Sequence, residues 1–216
     1  MSNPYSPLKA KIKEVIQETS SDVDIKTFRI ELLDGKTMDF MPGQFVELSV
    51  PGVGEAPFGF ASSPLEKGVF DLTIKKVGLV TEAVHNLSAG SIVWVRGPFG
   101  NTFPAEEMEG HPILFIAGGL GLAPLKPLIL YMLDEANRAK YGEIQMLLAA
   151  RSSRDFIYRR DFEEWAKAEN THVLQTIDRP EEGMDGQGGL PQCAGRRNGT
   201  GPGKALCRPV WSSHHD

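Results

Sequence analysis

Cysteine is scarce in this sequence, which contains only Cys193 and Cys207 among its 216 residues. Two cysteines cannot supply a disulfide framework or a four-cysteine metal site, so we expect neither. Excess positive charge is also missing: the formal net charge is −5, which argues against a nucleic-acid partner. Long apolar runs and the pattern of an export signal are absent as well. Together these absences predict a cytoplasmic protein with no membrane segment, no metal site and no nucleic-acid partner.

Residues 113–127 have the pattern of a nucleotide-binding turn. An apolar run, typical of a buried parallel strand, leads into Gly118, Gly119 and Gly121, and a second apolar segment follows. Glycines at the end of a strand allow a tight turn and let the backbone approach a phosphate closely. Backbone N–H groups at the start of a following helix would then face that anion. A plain strand-to-helix connection has the same pattern, so this stretch alone leaves two interpretations.

The first half of the chain has the spacing of short β-strands. Apolar and polar residues alternate in part of segments 11–18 and 25–32, and Asp34-Gly35 and Pro42-Gly43 are strong turn signals. Further strands are predicted at 44–50, 58–62, 69–74 and 92–96. Several short strands at regular spacing indicate a small antiparallel β-barrel.

One helical pattern interrupts these strands. Residues 79–87 carry apolar side chains at helical spacing, with Gly78 before them and Gly90 as a suitable stop. A short helix between barrel strands offers an anion site at its N-terminus. The same helix would also serve to plug one end of the barrel, and the residues alone do not separate the two interpretations.

After Pro104 the pattern changes to alternating strands and helices. Strands are predicted at 113–117, 144–150 and 172–177, and helices at 123–139 and 155–167. The aromatic residues of the second helix are spaced for packing on a sheet: Phe156, Tyr158, Phe162 and Trp165. This alternation predicts a parallel sheet with right-handed crossovers. We therefore place a domain boundary near residues 106–110.

Several motifs then appear in the order typical of one family. They include Pro42-Gly-Gln-Phe45, Gly78-Leu-Val-Thr81, Gly97-Pro-Phe-Gly100 and Gly118-Gly-Leu-Gly-Leu-Ala-Pro124. Over roughly residues 8–182 the chain resembles the ferredoxin–NADP reductase-like superfamily. Within it, the chain resembles the branch that includes the electron-transfer subunits of dihydroorotate dehydrogenase and sulfhydrogenase. The resemblance implies an antiparallel β-barrel flavin domain at 1–108, followed by a truncated α/β parallel-sheet nucleotide-binding domain at 109–182.

The resemblance also implies the cofactors and the residues that bind them. The cofactors would be NAD(P)H and a flavin, either FAD or FMN. A strand along the flavin ring would comprise Phe58, Gly59, Phe60, Ala61 and Ser62. The flavin phosphates would be cradled by Gly78, Leu79, Val80 and Thr81. The NAD(P) diphosphate turn would comprise Gly118, Gly119, Gly121 and Pro124, with further nucleotide contacts from Arg151, Asp155 and Tyr158.

Three of these assignments have a structural alternative. Arg151 would equally suit a surface ion pair, Asp155 a helix N-cap and Tyr158 packing in the core. The choice between NADH and NADPH is also open. An arginine that contacts the ribose phosphate would favour NADPH, but arginines are also common on the surfaces of helices. Arg154, Arg159 and Arg160 are the arginines in question.

The sequence departs from the family pattern in two places. Many relatives carry Arg-x-Tyr-Ser at the flavin strand, with the arginine on a flavin phosphate, but residues 56–59 here read Ala-Pro-Phe-Gly. Because that arginine is missing, the sequence does not decide whether the flavin is FAD or FMN. The branch also ends in a cysteine-rich segment that binds a [2Fe–2S] cluster and carries a Cys-Gly-Pro-Pro motif. Neither feature is present in this sequence.

Residues 183–216 lose apolar periodicity and are crowded with glycine, proline and arginine, so we predict an aberrant, poorly ordered tail. A one-base shift of the codons for 210–216 permits Cys-Gly-Pro-Pro-Ile-Met, the motif that is missing. The same shift at 184–189 permits Trp-Thr-Gly-Lys-Val-Gly. Our interpretation is a frameshift near Gly183, in the gene or in its sequencing.

Two functions follow from this reading of the chain. The first is a flavin-dependent NAD(P)H oxidoreductase, or an electron-transfer subunit, that passes hydride from NAD(P)H to flavin and electrons on to a partner subunit. No side chain is assigned as a catalytic acid or base. The alternative is a catalytically impaired, truncated flavin-binding remnant with a structural or regulatory role.

Overall fold

The computed structural model describes residues 4–178 of the chain. The predictions made for residues 183–216, a poorly ordered tail and a shifted reading frame, lie outside the described residues. Within residues 4–178, no helix has both the length and the apolar character needed to cross a membrane.

The first sheet is built from six antiparallel strands. They are β1 (Leu8–Gln17), β2 (Ile25–Leu32), β3 (Phe45–Val50), β4 (Gly54–Gly59), β5 (Phe70–Lys75) and β6 (Ile92–Phe99). Their order in the sheet is β4-β3-β6-β1-β2-β5. An antiparallel bridge between Phe60 and Leu72 connects the chain just after β4 to β5. Because this bridge joins the two edge strands, the sheet closes on itself, and the predicted antiparallel β-barrel is confirmed.

Aromatic and aliphatic side chains fill the interior of the barrel. Phe60 is 1% exposed and stacks on Phe40, with ring centroids 3.7 Å apart and an interplanar angle of 5°. Phe70 meets the same ring edge-on at 5.4 Å. The helix α1 (Leu79–His85) lies against this barrel and buries Val84 in the barrel core. The closed sheet and α1 therefore enclose a continuous apolar core.

The second sheet is parallel and has three strands in the described part of the chain. They are β7 (Ile113–Gly118), β8 (Ile144–Ala150) and β9 (Thr171–Ile177), in that order. The helices α2 (Lys126–Leu133) and α3 (Phe162–Lys167) lie between successive strands along the chain. Short 3-10 turns occur at Glu106–Met108, Gly119–Leu122, Arg138–Lys140, Ser153–Asp155 and Arg159–Asp161. The predicted α/β parallel-sheet unit is confirmed.

One face of the second sheet is covered and the other is open. Phe115 of β7 is buried in an apolar cluster that also contains Ile129 of α2 and Phe162 of α3. On the opposite face of β7, Leu114 is 49% exposed and Ile116 is 61% exposed. The sequence predicts β7 as a fully buried strand. That prediction is wrong for residues 4–178, because both helices contribute to the same cluster on one side of the sheet.

The first helix of this unit is shorter than the predicted span of 123–139. The chain forms a 3-10 turn after β7, and the α-helical hydrogen bonds of α2 begin only after Pro124, which has no N–H to donate. The helix ends where Asp134 becomes extended, with ψ 139°. The Asp134 carboxylate there accepts the Ala136 N–H at 3.0 Å, a local bond that favours a turn.

The second helix is also shorter than its predicted span of 155–167. Tyr158 has a φ of 58°, in the left-handed region, and a right-handed helix cannot pass through such a residue. Only α3 is therefore α-helical in this span. The aromatic packing predicted for it is nevertheless confirmed, because all four aromatic side chains are buried in one cluster: Phe156, Tyr158, Phe162 and Trp165.

The predicted strand 58–62 also differs, because the chain changes partner within it. Residues up to Gly59 pair with β3, while Phe60 pairs with Leu72 and the Ala61 N–H donates to the Asp71 carbonyl at 2.8 Å. The strand β4 therefore begins and ends earlier than expected.

Residues 100–112 join the two sheets, and the predicted boundary at 106–110 falls within this segment, which includes the turn Glu106–Met108. The division of the chain into 1–108, 109–182 and 183–216 stays a prediction. Two residues on the barrel side, Ile25 and Ala61, belong to the apolar cluster of the second sheet. We call this shared contact region the seam.

Candidate functional site

The loop between β1 and β2 forms much of the seam. Ser20 donates its N–H to the Arg154 carbonyl at 3.1 Å. The neighbouring Ser21 hydroxyl donates to the Asp155 carboxylate at 2.5 Å. These two hydrogen bonds connect the barrel directly to the segment that follows β8. Two clefts lie beside them.

The inner cleft has a volume of about 410 Å³ and lies between the barrel and the ends of β7 and β8. On the barrel side it is lined by Val23, Ile25 and Lys75. On the other side it is lined by Gly118, Gly119, Leu120, Ala149, Ala150, Arg151, Asp155 and Asp178. The carboxyl ends of parallel strands are where α/β proteins usually bind their ligands.

The outer cleft has a volume of about 590 Å³ and is more polar. It is lined by Asp22, Val23, Asp24, Lys75, Lys76, Val77, Gly78, Glu82 and Arg151. Val23, Lys75 and Arg151 line both clefts, so the two are parts of one groove along the seam. This seam groove brings Gly78 of the predicted flavin site close to the predicted nucleotide turn at Gly118 and Gly119.

The backbone of the glycine turn leaves open space above it. Gly119 has a φ of +52°, a conformation that favours glycine. A Cβ atom added at Gly119 or Gly121 would have no neighbour within 4 Å, and one at Gly118 would lie 4.0 Å from the Ala149 carbonyl oxygen. The predicted α-helix does not follow at once, because a 3-10 turn comes first. Gly121 and Pro124 are exposed and line neither cleft.

The predicted flavin strand divides into exposed and buried parts. Phe58 and Gly59 are half-buried at the end of β4, and a Cβ added at Gly59 would lie 3.7 Å from the Pro124 Cβ across the seam. Phe60 points into the barrel core and Ala61 into the apolar cluster of the second sheet. Their N–H groups are already donated, to the Gln44 carbonyl at 3.3 Å and the Asp71 carbonyl at 2.8 Å. The Ser62 hydroxyl is 1% exposed and accepts the Asp71 N–H at 3.0 Å.

The segment from Gly78 to Thr81 is held by one side chain. The Thr81 hydroxyl accepts the N–H groups of Val77 and Gly78, each at 2.9 Å, and donates to the Gly78 carbonyl at 2.9 Å. Leu79 is 73% exposed, while Val80 packs on the barrel core. Thr81 therefore fixes the shape of this turn, and a Cβ at Gly78 would meet nothing within 4 Å.

Arg151 and Asp155 sit at the junction of the two clefts. The Arg151 side chain is 60% exposed and lies 3.8 Å from Asp22 and 3.9 Å from Asp155, which fits the surface ion-pair interpretation as well as a ligand contact. Burial raises the pKa of the Asp155 carboxyl, but hydrogen bonds from Ser152 and Ser21 and the charge of Arg151 outweigh it, so the pKa lies below its usual value. The N-cap interpretation of Asp155 is wrong, because Asp155 ends its 3-10 turn.

Tyr158 lies apart from the groove. Its side chain is 0% exposed, and its hydroxyl donates to Thr73 of β5 in the barrel. The core-packing interpretation is therefore confirmed, and the predicted nucleotide contact is wrong because no part of the ring reaches either cleft.

Sequence patterns did not identify several residues of the groove. Lys75 ends the barrel strand β5, Asp178 follows β9 of the second sheet, and both line the inner cleft. Position at a strand end was the signal available for Asp178, since such ends gather at one edge of a parallel sheet. Lys75 had no such signal, because its place depends on how the barrel meets the second sheet. Among residues 4–178, no group of three or more histidine, cysteine, aspartate or glutamate side chains is placed to hold a metal ion.

Comparison with known proteins defines the class. Residues 10–103 match the family described as "Oxidoreductase FAD-binding domain", and residues 115–203 match "Oxidoreductase NAD-binding domain". Ferredoxin-NADP+ reductase from Plasmodium falciparum has the same fold, with a TM-score of 0.68 at 18% identity over 80% of this chain and 70% of that chain. The chain is thus an FAD- and NAD-binding oxidoreductase with a ferredoxin reductase-like fold, and the predicted cofactors FAD and NAD(P)H are confirmed.

Sequence relatives narrow the class to a family. The chain is 40% identical to sulfhydrogenase 1 subunit gamma of Pyrococcus furiosus, over 96% of this chain and 72% of that protein. It is 37% identical to a probable dihydroorotate dehydrogenase B (NAD(+)) electron transfer subunit of Methanocaldococcus jannaschii, over 76% of this chain and 55% of that protein. The chain belongs to the family of these electron-transfer subunits. The alternative of an impaired remnant has no support, because domains for both cofactors match.

Proposed function

We propose that this chain passes hydride from NAD(P)H to FAD in the seam groove and hands electrons on to a partner subunit. The observation that supports this most strongly is the groove itself. It runs along the contact between the flavin-binding barrel and the NAD-binding sheet, and it connects the turn at Gly78 with the turn at Gly119. Cofactors held on the two sides would meet at the seam.

The residues of the groove fit the two cofactors. Its two parts, of about 410 and 590 Å³, have the size of cofactor pockets. The open space above Gly78 and Gly119 lets a phosphate approach the backbone without meeting a side chain. Three cationic side chains line the groove and suit the diphosphates: Lys75, Lys76 and Arg151. Five carboxylates line it as well: Asp22, Asp24, Glu82, Asp155 and Asp178.

We assign binding roles on each side of the seam. On the barrel side these are Phe58, Gly59, Phe60, Ala61, Ser62, Gly78, Leu79, Val80 and Thr81. On the other side they are Gly118, Gly119, Gly121, Pro124, Arg151 and Asp155. Gly59 and Pro124 approach across the seam, so the edge of the flavin strand lies where the nucleotide side begins.

When bound, the two cofactors supply the redox chemistry by hydride transfer from the nicotinamide to the flavin. The chain's own residues then serve to bind, to orient and to exclude water. Such a transfer requires no catalytic acid or base, and orientation alone supplies much of the rate.

The partner and the setting belong to the same proposal. The relatives are named as subunits, and this chain spans 72% of one and about half the length of others, so the electron acceptor and the whole protein's activity are proposed rather than known. A cytoplasmic location stays a prediction from the sequence. Either NADH or NADPH is a candidate for the nicotinamide nucleotide.

Two substitutions of Gly119 test the nucleotide side of the groove. Asparagine and aspartate both tolerate positive φ, so Gly119→Asn and Gly119→Asp should fold and bind FAD like the parent protein. The aspartate places a negative charge above the turn, where it would repel the diphosphate. In anaerobic titrations that follow bleaching of the flavin colour, we expect Gly119→Asp to need at least about tenfold more NAD(P)H than Gly119→Asn. Equal requirements in the two variants would contradict the assignment of this turn.

A further inference from the structure

Four residues form a closed ring of hydrogen bonds across the seam. The Tyr158 hydroxyl donates to the Thr73 hydroxyl, and the hydroxyls of Thr73 and Thr27 are 2.8 Å apart. The Thr27 hydroxyl donates to Glu18 Oε1 at 2.6 Å. The Tyr158 N–H closes the ring of hydrogen bonds by donating to Glu18 Oε2 at 3.0 Å. Barrel residues therefore hold Tyr158 at both its aromatic ring and its backbone, and we call this ring of hydrogen bonds the Glu18 network.

The Glu18 network is shielded from water, and all of its hydrogen bonds are donated in one direction, towards Glu18. The Glu18 side chain is 2% exposed, Thr27 and Tyr158 are 0% exposed, and Thr73 is 6% exposed. An ionised carboxylate accepts hydrogen bonds and donates none, so each hydroxyl must donate towards Glu18. A buried network in which every member is satisfied fixes a single arrangement of the groups that form it.

Charged groups of the second-sheet unit surround the network. The Arg160 guanidinium donates to Glu18 Oε1 at 3.0 Å. The Lys126 ammonium lies 3.9 Å from the centre of the Tyr158 ring and 2.8 Å from an Asp161 carboxylate oxygen. Tyr158 also adopts a φ of 58°, which is unfavourable for a bulky residue and persists only where the surroundings determine it. The hydrogen bond from the Tyr158 N–H to Glu18 holds the backbone in this conformation.

The network is joined along the chain to both walls of the seam groove. Thr73 is followed in the same strand by Lys75, which lines both clefts, and Tyr158 shares a short segment with Asp155, which lines the inner cleft. A shift of Tyr158 relative to the barrel would therefore move one wall of the groove against the other.

We propose that Glu18 is a positioning residue, which fixes the second sheet against the barrel through Thr27, Thr73 and Tyr158 and so sets the approach of nicotinamide to flavin. This proposal rests on the proposed function. A displacement of about 1 Å between reacting groups reduces a rate by about a hundredfold, so a network of this kind has a direct kinetic consequence.

Glu18→Gln tests the proposal, and Glu55→Gln is the control for the same change at a more exposed carboxylate, whose side chain is 42% exposed. Glutamine has about the same shape, but it presents an NH₂ group where glutamate has a second acceptor, so one donor of the network would face another donor. Glu55 likewise accepts hydrogen bonds from a serine hydroxyl and an arginine, Ser49 and Arg96, but both partners lie in the barrel. Only the first substitution therefore disturbs the seam.

Two readouts separate positioning from simple structural support. The first is amide hydrogen exchange at Tyr158 and Ser20, whose N–H groups bond across the seam, in the FAD-loaded protein without nucleotide. The second is the anaerobic rate of flavin bleaching at varied NADH and NADPH concentrations. We expect Glu18→Gln to exchange faster at both amides and to lose about 10- to 100-fold in maximal bleaching rate. Flavin content and the half-saturating nucleotide concentration should stay near those of the parent, and Glu55→Gln should match it throughout.

Several results would overturn the proposal. The proposal is wrong if Glu18→Gln keeps the maximal bleaching rate of the parent protein, whether or not its amides exchange faster. It is also wrong if weaker nucleotide binding accounts for the whole loss of bleaching rate. If Glu18→Gln fails to hold flavin, Tyr158→Phe, which removes only the bond to Thr73, replaces it, and a parental maximal rate in that variant is equally contrary. A parent protein that neither nucleotide bleaches would contradict the proposed function itself, and the positioning role with it.

Discussion

The barrel and the second sheet bury their apolar residues in different ways. The barrel closes through the bridge between Phe60 and Leu72, so its core is enclosed by its own strands and α1. The second sheet is open in the described residues, with helices on one face and Ile116 exposed on the other. A parallel sheet is normally covered on both faces. The flavin side is thus complete in itself, while the nucleotide side has a core of its own to which the barrel adds Ile25 and Ala61.

This difference indicates that the seam contributes to the stability of the second sheet as well as to ligand binding. Ile25 and Ala61 come from the barrel side yet pack into the cluster of the second sheet. A unit that leaves one face of its sheet exposed, and that shares its apolar cluster with a neighbouring unit, is expected to open first. The nucleotide side should therefore unfold before the barrel does, and changes at the seam should act on it selectively.

The largest effect is expected from a cavity in the barrel. Phe60→Ala removes a ring that stacks on Phe40 and is 1% exposed, which should lower the free energy of unfolding by about 3–5 kcal/mol. Phe99→Ala is the control, because Phe99 is only half-buried at the end of β6. Denaturant unfolding of both variants measures the effect, and equal losses would show that the barrel is not the closed unit described here.

A smaller effect is expected at the seam, and it depends on pH. Ser152, Ser21 and Arg151 outweigh burial and hold the pKa of Asp155 below its usual value, so Asp155 stabilises the fold at neutral pH. This contribution is lost as the pH falls through the lowered pKa. Asp155→Asn should cost about 1–2 kcal/mol at pH 7, and the difference from the parent should begin to shrink near about pH 4 and disappear only when the pH is below the lowered pKa.

Asp34→Asn is the control for this pH dependence. The pKa of Asp34 is also lowered, mainly by its hydrogen bond with Lys36, but the residue lies in an exposed turn away from the seam. Unfolding of the nucleotide side, followed by amide exchange from neutral pH into acid, should respond to Asp155→Asn and not to Asp34→Asn. A loss for Asp155→Asn that does not change with pH would contradict the ionic account of this contact.

The smallest effect is expected on the open face of the second sheet. Ile116→Ala truncates a side chain that is 61% exposed, so the free energy of unfolding should change by no more than about 0.5 kcal/mol. The same truncation at Ile129, which is 0% exposed in α2, should cost about 2–5 kcal/mol. A large loss for Ile116→Ala would show that this face is covered in the protein in solution.

Much of the architecture follows from local patterns in the sequence. Alternating side chains in β2 and the turn at Asp34-Gly35 predicted the barrel strands, and the apolar run before Gly118 predicted β7. The glycines at 118 and 119 were assigned to a nucleotide site from the same stretch, and they line the inner cleft. Patterns of this kind are local, because each depends on neighbours along one strand or one turn.

The features that sequence patterns missed depend on contacts between distant segments. Tyr158 has helical spacing with its aromatic neighbours, yet contacts with Glu18 and Thr73 hold it in the left-handed region. Glu18 appears in the sequence as an ordinary charged residue at the end of a strand. No local pattern distinguishes it, because its burial is created only when residues 151–160 pack on the loop between β1 and β2.

Anaerobic titration of the FAD-loaded protein with NADH and, separately, with NADPH tests the central claim most directly. If the seam groove brings the two cofactors together, at least one nucleotide should bleach the yellow flavin absorbance, with about one equivalent sufficient for each flavin. A protein that binds FAD and keeps its full colour in excess of both nucleotides would contradict the account.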